Sequence, residues 1–244
     1  MAEKKHRILV GAPISDMYRY CLEEFLTAIK SFSYDNYDIL LIDNSEKDEL
    51  YRELLERGFN VKKIPYHKKT RERVVRAHNL LREYALKQGY DYLLNLDQDV
   101  IPQSDAINKL LSHNKQIVMG LYFGHHFVEQ LNKNEVMPFA WQFKNKNQGH
   151  WGDVRYLNPD EFWSEKLLKI AFTGAGCMFI HKDVLKKIKF RYEDKYDVWD
   201  DRWFGYDAYK KGFEVFLDTS VKCRHLYLNR PFDWQKIMKD RERY

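Results

Sequence analysis

The sequence predicts an α/β fold, a mainly parallel central sheet flanked by helices, in a single domain spanning all 244 residues. Three observations lead there. Strand-length runs that are apolar on both faces, such as Ile8-Leu9-Val10 and Asp38-Ile39-Leu40-Leu41-Ile42-Asp43, suit strands covered on both sides. Segments between them repeat apolar residues at i, i+3, i+4 and i+7, the period of a helix with one buried face. The two patterns alternate through the first 122 residues, and such alternation closes into a parallel sheet with right-handed crossovers.

In order along the chain, Ile8-Leu9-Val10 enters the loop Gly11-Ala12-Pro13 as a first strand. Between Tyr18 and Phe32 the stripe Leu22, Phe25, Leu26, Ile29 and Phe32 marks a helix. Asp38–Asp43 is the second strand, Ser45 with Asp48 three residues on reads as a helix cap, and Gly58 closes that helix. Val61 to Pro65 is a short third strand. Thr70 is placed to cap a long helix, with Val74, His78, Leu81 and Ala85 on one face and an end at Gly89; His78 is expected to face the core. Tyr92–Leu96 is the fourth strand, followed by a helix over about 104–111 and a strand at 117–122. From Phe123 to Ile170 aromatics and amides crowd together without a clear period, so the expectation is an aromatic-rich insert of irregular loops with one hairpin. A glycine-rich turn, Thr173-Gly174-Ala175-Gly176, then enters a strand through Ile180. A helix over 182–188, another from Trp199 to Gly212, and strands at 214–217 and 221–225 precede a charged tail, 226–244.

Composition sets the class. Apolar residues make up 44% and charged residues 32%, a globular balance. No apolar stretch approaches the roughly 20 residues of a membrane span, and Met1 to Arg7 contains no signal-type apolar run. With three unpaired, widely spaced cysteines (Cys21, Cys177, Cys223) this sets the expectation of a cytoplasmic protein with buried free thiols. Net charge is only +5, but Lys62–Arg76 carries seven basic residues against the single acid Glu72. That run reads as a solvated face, a phosphate-binding rim, or a contact for an anionic polymer or membrane surface.

The chemistry concentrates at Asp97-Gln98-Asp99, directly after the apolar fourth strand. If the backbone stays extended, the two carboxylates project to one side. Hard cations such as Mn2+ or Mg2+ bind through one or two carboxylates plus substrate phosphates, so the motif points to metal-dependent handling of a phosphorylated ligand. Ligands in parallel sheets bind beyond the carboxyl ends of the strands. Pro13, Asp43, Asp97 and Asp99 all lie at such ends.

Taken in order, these motifs resemble GT-A fold, family 2-type glycosyltransferases over nearly the whole chain. The resemblance rests on Gly11-Ala12-Pro13, Asp43-Asn44-Ser45, Arg76-Ala77-His78-Asn79, Leu96-Asp97-Gln98-Asp99, Thr173-Gly174-Ala175-Gly176, Asp200-Asp201 with Phe204, Gly212-Phe213 and His225. It implies a Rossmann-like GT-A domain with a nucleotide-sugar half at 7–122 and an acceptor and catalytic half at 123–225. It also implies a UDP- or GDP-sugar donor bound by Pro13, Asp43, Arg76, Asn79, Asp97, Gly174 and Gly176. Asp99 would bind the metal directly, Asp97 through water or by holding the ribose, and His225 would be a third ligand. One of Asp200 and Asp201 would be the general base, spacing to Phe204 favouring Asp201, and inversion follows if that base serves an in-line attack. The family's Glu-Asp pair is Asp-Asp here, which leaves the first carboxylate's role open.

Trp141, Trp151 and His126 are the expected acceptor-side residues, and the acceptor can be a glycan, a lipid-linked sugar or a nucleic-acid base. Each residue also has a plainer reading. Asp43 can cap a helix, His225 can be a satisfied strand-end histidine, Asp200-Asp201 can be helix N-terminal charges, Arg76 and Asn79 can face solvent, and the aromatic insert can be core or lid. His125-His126 has no third spaced ligand. Two other functions share the pattern: a non-catalytic nucleotide-sugar-binding or carbohydrate-binding protein on the same fold, which needs no base at Asp201, and a haloacid-dehalogenase-like phosphatase. The latter normally carries its acidic motif on the first strand rather than the fourth.

Overall fold

The computed structural model describes residues 5–128, 132–144 and 153–226. The chain begins with β1 (Ile8–Ile14), a 3-10 turn at Asp16–Cys21, α1 (Leu22–Lys30), β2 (Tyr37–Asp43), α2 (Glu49–Glu56), β3 (Val61–Lys63), α3 (Thr70–Lys87) and β4 (Tyr92–Leu96). It continues through β5 (Val100–Ile101), α4 (Ala106–Ser112) and β6 (Ile117–Leu121) to β7 (Phe123–Val128), β8 (Lys133–Pro138), β9 (Ala140–Phe143), β10 (Val154–Tyr156) and α5 (Pro159–Phe162). Last come β11 (Leu167–Ile170), β12 (Phe172–Thr173), β13 (Cys177–His181), α6 (Lys182–Lys187), α7 (Asp200–Lys210), β14 (Val215–Lys222) and β15 (Arg224–His225).

Eight strands form the central sheet in the order β11-β14-β6-β13-β4-β1-β2-β3. β3, β2, β1 and β4 run parallel, as do β6 and β14, whereas β13 is antiparallel to both of its neighbours and β11 to β14. The sheet is therefore mainly parallel, with two reversed strands. Alternate residues of one strand enter opposite cores, as the pleat requires. Ile8, Val10 and Ala12 of β1 pack with Phe25, Ile29, Leu50 and Ile107 of α1, α2 and α4. Leu9 of β1 and Leu93 of β4 pack with Ala77, Leu81, Val184 and Phe204 of α3, α6 and α7.

This topology builds one functional edge. The carboxyl ends of β1, β2, β4 and β6 share it because those strands are parallel. The reversed β13 brings its amino end there instead, so the Asp97 amide donates to the Gly176 carbonyl at 3.1 Å. β14 ends on the same edge, and its continuation β15 pairs antiparallel with β5, setting His225 opposite Val100 and Arg224 opposite Ile101.

Several local expectations change. Ser45 does not cap α2: its hydroxyl accepts from the Asp16 amide at 2.9 Å, and the helix starts after Asp48, whose side chain makes no cap bond. Thr70 is the first residue inside α3 rather than its cap, and its hydroxyl accepts from the Arg73 guanidinium. The expected strands at 214–217 and 221–225 are one strand, β14, with a register shift between Asp218 and Lys222, followed by the short β15. The aromatic insert is more ordered than its sequence pattern implies. It contains the β7–β8 hairpin and the strands β9 and β10, which join β12 just beyond it in a three-stranded sheet, β10-β9-β12. The Asn158 side chain and Glu161 form a reciprocal capping box that starts α5, with Pro159 in its first turn. These strands are two to six residues long, too short for a period of two to emerge among aromatics. Trp151 and tail residues 227–244 lie outside the described residues.

Candidate active site

The acidic motif is a turn rather than an extended segment, because the Val100 amide returns to the Asp97 carbonyl at 3.0 Å. The expected same-side projection from strand alternation therefore does not apply, and the turn itself brings the two carboxylates together. Gln98 anchors that turn. Its amide oxygen accepts from the Ser15 backbone at 2.8 Å and its nitrogen donates to the Tyr18 carbonyl at 3.1 Å, tying it to the end of β1. Burial, and then the neighbouring Asp99 charge, push the Asp97 carboxyl up to about 6. Two acids held close in a poorly solvated site compete for ionisation, and an added cation relieves both.

His225 faces Asp99 with Nε2 3.4 Å from Oδ2. Its Nδ1 lies 2.7 Å from the Phe123 carbonyl. A carbonyl only accepts, so Nδ1 carries the hydrogen, and Nε2 turns either a lone pair or a proton toward a carboxylate. Only a cation between the two, a proton or a metal, makes that contact attractive. Burial pulls the imidazole's proton affinity down, but Asp99, the Phe123 carbonyl and Asp97 together outweigh it and the net shift is upward. Donors sharing one ion at about 2.1 Å each stand roughly 3 Å apart, near the observed separation. The donor set therefore fits Mn2+ or Mg2+ ligated by one carboxylate and one imidazole, with its remaining positions open to phosphate oxygens. Among the described residues, no group of three His, Cys, Asp or Glu side chains is arranged to hold an ion. Asp97 thus adds charge beside the pair and does not complete a three-ligand cage.

Asp200 and Asp201 open α7 behind Trp199. Asp200 is buried and its Oδ2 lies 2.6 Å from Nδ1 of the fully buried His78. Asp201 is half-buried. Burial and the adjacent Asp200 charge push its carboxyl up to about 7, against a hydrogen bond from the Arg202 amide.

The donor-side residues divide. Pro13 lies on β1 beyond the residues paired with β4, where its missing N–H interrupts no bond to that strand. Asp43 is fully buried and occupied: Oδ1 accepts from the Ser45 amide at 2.8 Å and Oδ2 from Lys63 Nζ at 2.9 Å. Lys63 also donates to the Ser45 and Lys47 carbonyls, which uses all three of its hydrogens. As placed, Asp43 is a clamped internal carboxylate and not an open base-reading group, because a buried charge needs its partner. Arg76 is exposed and pairs with Glu72 one turn earlier. Asn79 points away from the site, donating to the Phe190 carbonyl at 2.8 Å and accepting from its amide at 3.0 Å. Gly174 and Gly176 make room for Tyr122, since a Cβ at 174 would stand 2.1 Å from its hydroxyl oxygen. The Gly176 amide donates to that oxygen at 3.0 Å.

On the acceptor side, Trp141 of β9 stacks on Phe172 with centroids 4.8 Å apart. His126 packs against Phe139 and Trp141, and Phe139 in turn contacts Tyr122 and His225. A wall of rings thus runs from the Asp99–His225 pair to Trp141. Burial, and then His125 and His225, push His126 down to about 4, so it is a neutral ring. The Lys62–Arg76 run is largely engaged within the fold: Lys63 by Asp43, Lys69 by Asp194, Arg71 by Asp197, Arg73 by the His67 and Lys68 carbonyls, Arg76 by Glu72. That disfavours a free anion-binding rim. An open depression of about 230 Å³ over Glu46, Lys47, Asp48, Glu49 and Arg52 contains none of the carboxylates of the acidic centre.

Two residues beyond the expected set belong to this centre. Tyr122 follows β6, at a strand end like Asp97, and that position was its available signal. His78 was readable as buried, but its partner Asp200 is 122 residues away.

Residues 19–189 match the profile described as glycosyl transferase family 2, which is well over half of the chain. Curated proteins offer no match. Among solved structures, the crystal structure of GalNAc-T7 with UDP, GalNAc and Mn2+ is similar at 13% identity and TM-score 0.62, covering 90% of this chain and 44% of that one. The crystal structure of A197 from STIV covers 90% of this chain and 85% of that one, at 16% identity and TM-score 0.47. The likeness to the GalNAc-T7 structure, at that identity, speaks for the fold alone, here GT-A. The family match removes the haloacid-dehalogenase alternative. No helix among the described residues is long and apolar enough to cross a membrane. From its sequence profile and the fold around this acidic edge, the chain belongs to glycosyl transferase family 2.

Proposed function

We propose that this chain transfers a sugar from a nucleoside-diphosphate donor to an acceptor hydroxyl, with Asp99 and His225 holding a divalent ion and Asp201 acting as base. The observation that carries the reading is the His225–Asp99 contact, an imidazole nitrogen and a carboxylate oxygen 3.4 Å apart at a spacing that suits a shared ion. A bound Mn2+ or Mg2+ would offset charge on the departing diphosphate. Asp97 supplies further negative charge beside that pair and would order the ion's water or hold the ribose. Asp201, half-buried with a proton affinity near neutrality, takes the proton from the acceptor hydroxyl as the new bond forms. An in-line attack assisted in this way inverts the anomeric centre. That GalNAc-T7 was crystallised with UDP, GalNAc and Mn2+ agrees with such a donor. Residues 7–122 are assigned to the donor and 123–225 to the acceptor. The ring wall at Trp141 and His126 suits an acceptor with a flat or apolar face, whether a glycan, a lipid-linked sugar or a nucleic-acid base.

Titration calorimetry with UDP-, GDP- and dTDP-sugars in the presence of Mn2+, repeated on Asp99→Ala, tests the donor model. Binding of at least one donor that depends on Mn2+ and is lost in the variant is expected. Binding indifferent to both the metal and the substitution would sink the reading.

A further inference from the structure

Asp200 and Asp201 are adjacent carboxylates at the start of α7, and only one is open to the site. On the assumption that the transferase reading holds, we propose that His78 is a positioning residue: its buried imidazole binds Asp200, removes that carboxylate from the reaction and leaves Asp201 as the base. The Asp200–His78 bond is 2.6 Å long with both side chains buried.

The hydrogen on that ring can be placed by elimination. Asn95 Nδ2 lies 2.9 Å from the Ala175 carbonyl, which only accepts, so the amide nitrogen must face it. The same nitrogen lies 3.3 Å from His78 Nε2. A second N–H therefore points at Nε2, which must be the ring's acceptor, and Nδ1 must be the N–H that donates to Asp200. Asn95 cannot flip without setting its oxygen against the Ala175 carbonyl. Its Oδ1, buried and without a hydrogen-bond partner, records that constraint.

The bonds link four elements that build the site: α7 with Asp200, α3 with His78, β4 with Asn95, and the Gly174–Gly176 loop with Ala175. Phe190 closes the remaining side of the imidazole, 4.7 Å between centroids. Of the other ionisable groups, Asp97 and Asp201 act on His78 through their charge, and Asp200 makes the direct bond. The adjacent Asp200 charge raises the proton affinity of Asp201. A triad-like logic follows, in which a third group orients the machinery without touching substrate.

Nitrogen NMR on the full chain labelled with 15N-histidine tests the pair without donor or acceptor. Among the nine histidines, the His78 ring, identified by the loss of its signals in His78→Leu, is expected as the Nδ1–H tautomer, with a proton far downfield that moves upfield in Asp200→Asn. A His78 ring in the Nε2–H form, or one indifferent to Asp200→Asn, overturns the inference. The second arm follows hydrolysis of UDP-glucose, UDP-N-acetylglucosamine and GDP-mannose with Mn2+. His78→Leu is expected to lower kcat at least about tenfold with KM within about twofold. His78→Asn, which keeps an N–H near the Nδ1 position, is expected to recover much of that loss. A raised KM with unchanged kcat, or no rescue by Asn, also overturns the proposal. If no donor turns over in the wild type, the transferase reading fails while the spectrum still decides the pair.

Discussion

At the scale of single residues, the proton on Asp201 should be visible in rate and stability. A base works only after losing its proton, and kcat/KM reports the free enzyme. Transfer by this family 2 chain is therefore expected to rise with pH through about 7, the level to which burial and Asp200 push the group. Asp201→Asn should remove that limb and lower turnover by about 10²–10⁴-fold. Stability runs the opposite way. A carboxyl whose proton is held more tightly in the fold than in the unfolded chain stabilises the fold below the ordinary carboxylate range, and that contribution is lost as pH rises through about 7. Asp97, pushed up to about 6, adds in the same direction. Urea midpoints of the metal-free protein should fall from pH 5 to pH 8, and less so in Asp201→Asn. Asp43 yields a second residue-scale expectation. Lys63→Met leaves a fully buried carboxylate without its cation, a change that costs about 3–5 kcal/mol where both partners are dry. Because Lys63 is 20% exposed, about 2–3 kcal/mol is the better figure, and Asp43→Asn with Lys63→Met should recover part of it. Sequence placed Asp43 at the correct strand end. It could not reveal the clamp, because Lys63 sits on β3 and meets it only through the sheet register.

At the scale of elements, legibility followed the length of the pattern. The 18-residue α3 and the seven-residue β1 and β2 repeat their period long enough to be read directly. The insert could not be read in that way, since β9 and β10 have only four and three residues, too few for a period of two to show. One signal was present and unused: Asn158-Pro159-Asp160-Glu161 spells the cap of α5. Capping by Ser45 and Thr70 was over-read because a hydroxyl near a helix start has other partners once the chain folds. Packing also decides what α7 tolerates. At Gly205 a Cβ would lie 2.4 Å from the Phe172 Cβ and 3.2 Å from the Ala171 carbonyl. In an exposed helix Gly→Ala gains about 1 kcal/mol, whereas overpacking against fixed atoms costs about 1–3 kcal/mol. Gly205→Ala should therefore destabilise the fold by up to about 2 kcal/mol net in a urea melt. It should also lower turnover by shifting the helix that carries Asp201.

At the scale of the whole molecule, the site depends on where strands end. Periodicity revealed that β4 carries the acidic turn, but it could not show that β13 runs backwards between β4 and β6, since a buried strand reads alike in either direction. That reversal delivers Gly176 to Asp97, and the β5–β15 pair delivers His225 to Asp99, 126 positions apart in sequence. The Leu226 amide bonds the Asp99 carbonyl at 2.7 Å, so the ribbon and the acidic turn form one mechanical unit. An ion shared by Asp99 and His225, as proposed, would join the carboxyl end of β4 to the last described strand, and phosphate from a donor would add a third party. Binding to the folded state alone stabilises it by about 2.7 kcal/mol at a hundredfold excess over Kd. Addition of Mn2+ with UDP should therefore raise the thermal midpoint and slow amide exchange at Val100, Ile101, Arg224 and His225 more than in β2 or β3. Asp99→Ala should abolish both effects and keep the central sheet protected. Equal protection spread over every strand, or protection by UDP alone, would place the ion away from the ribbon and undo the assignment of His225 as a ligand.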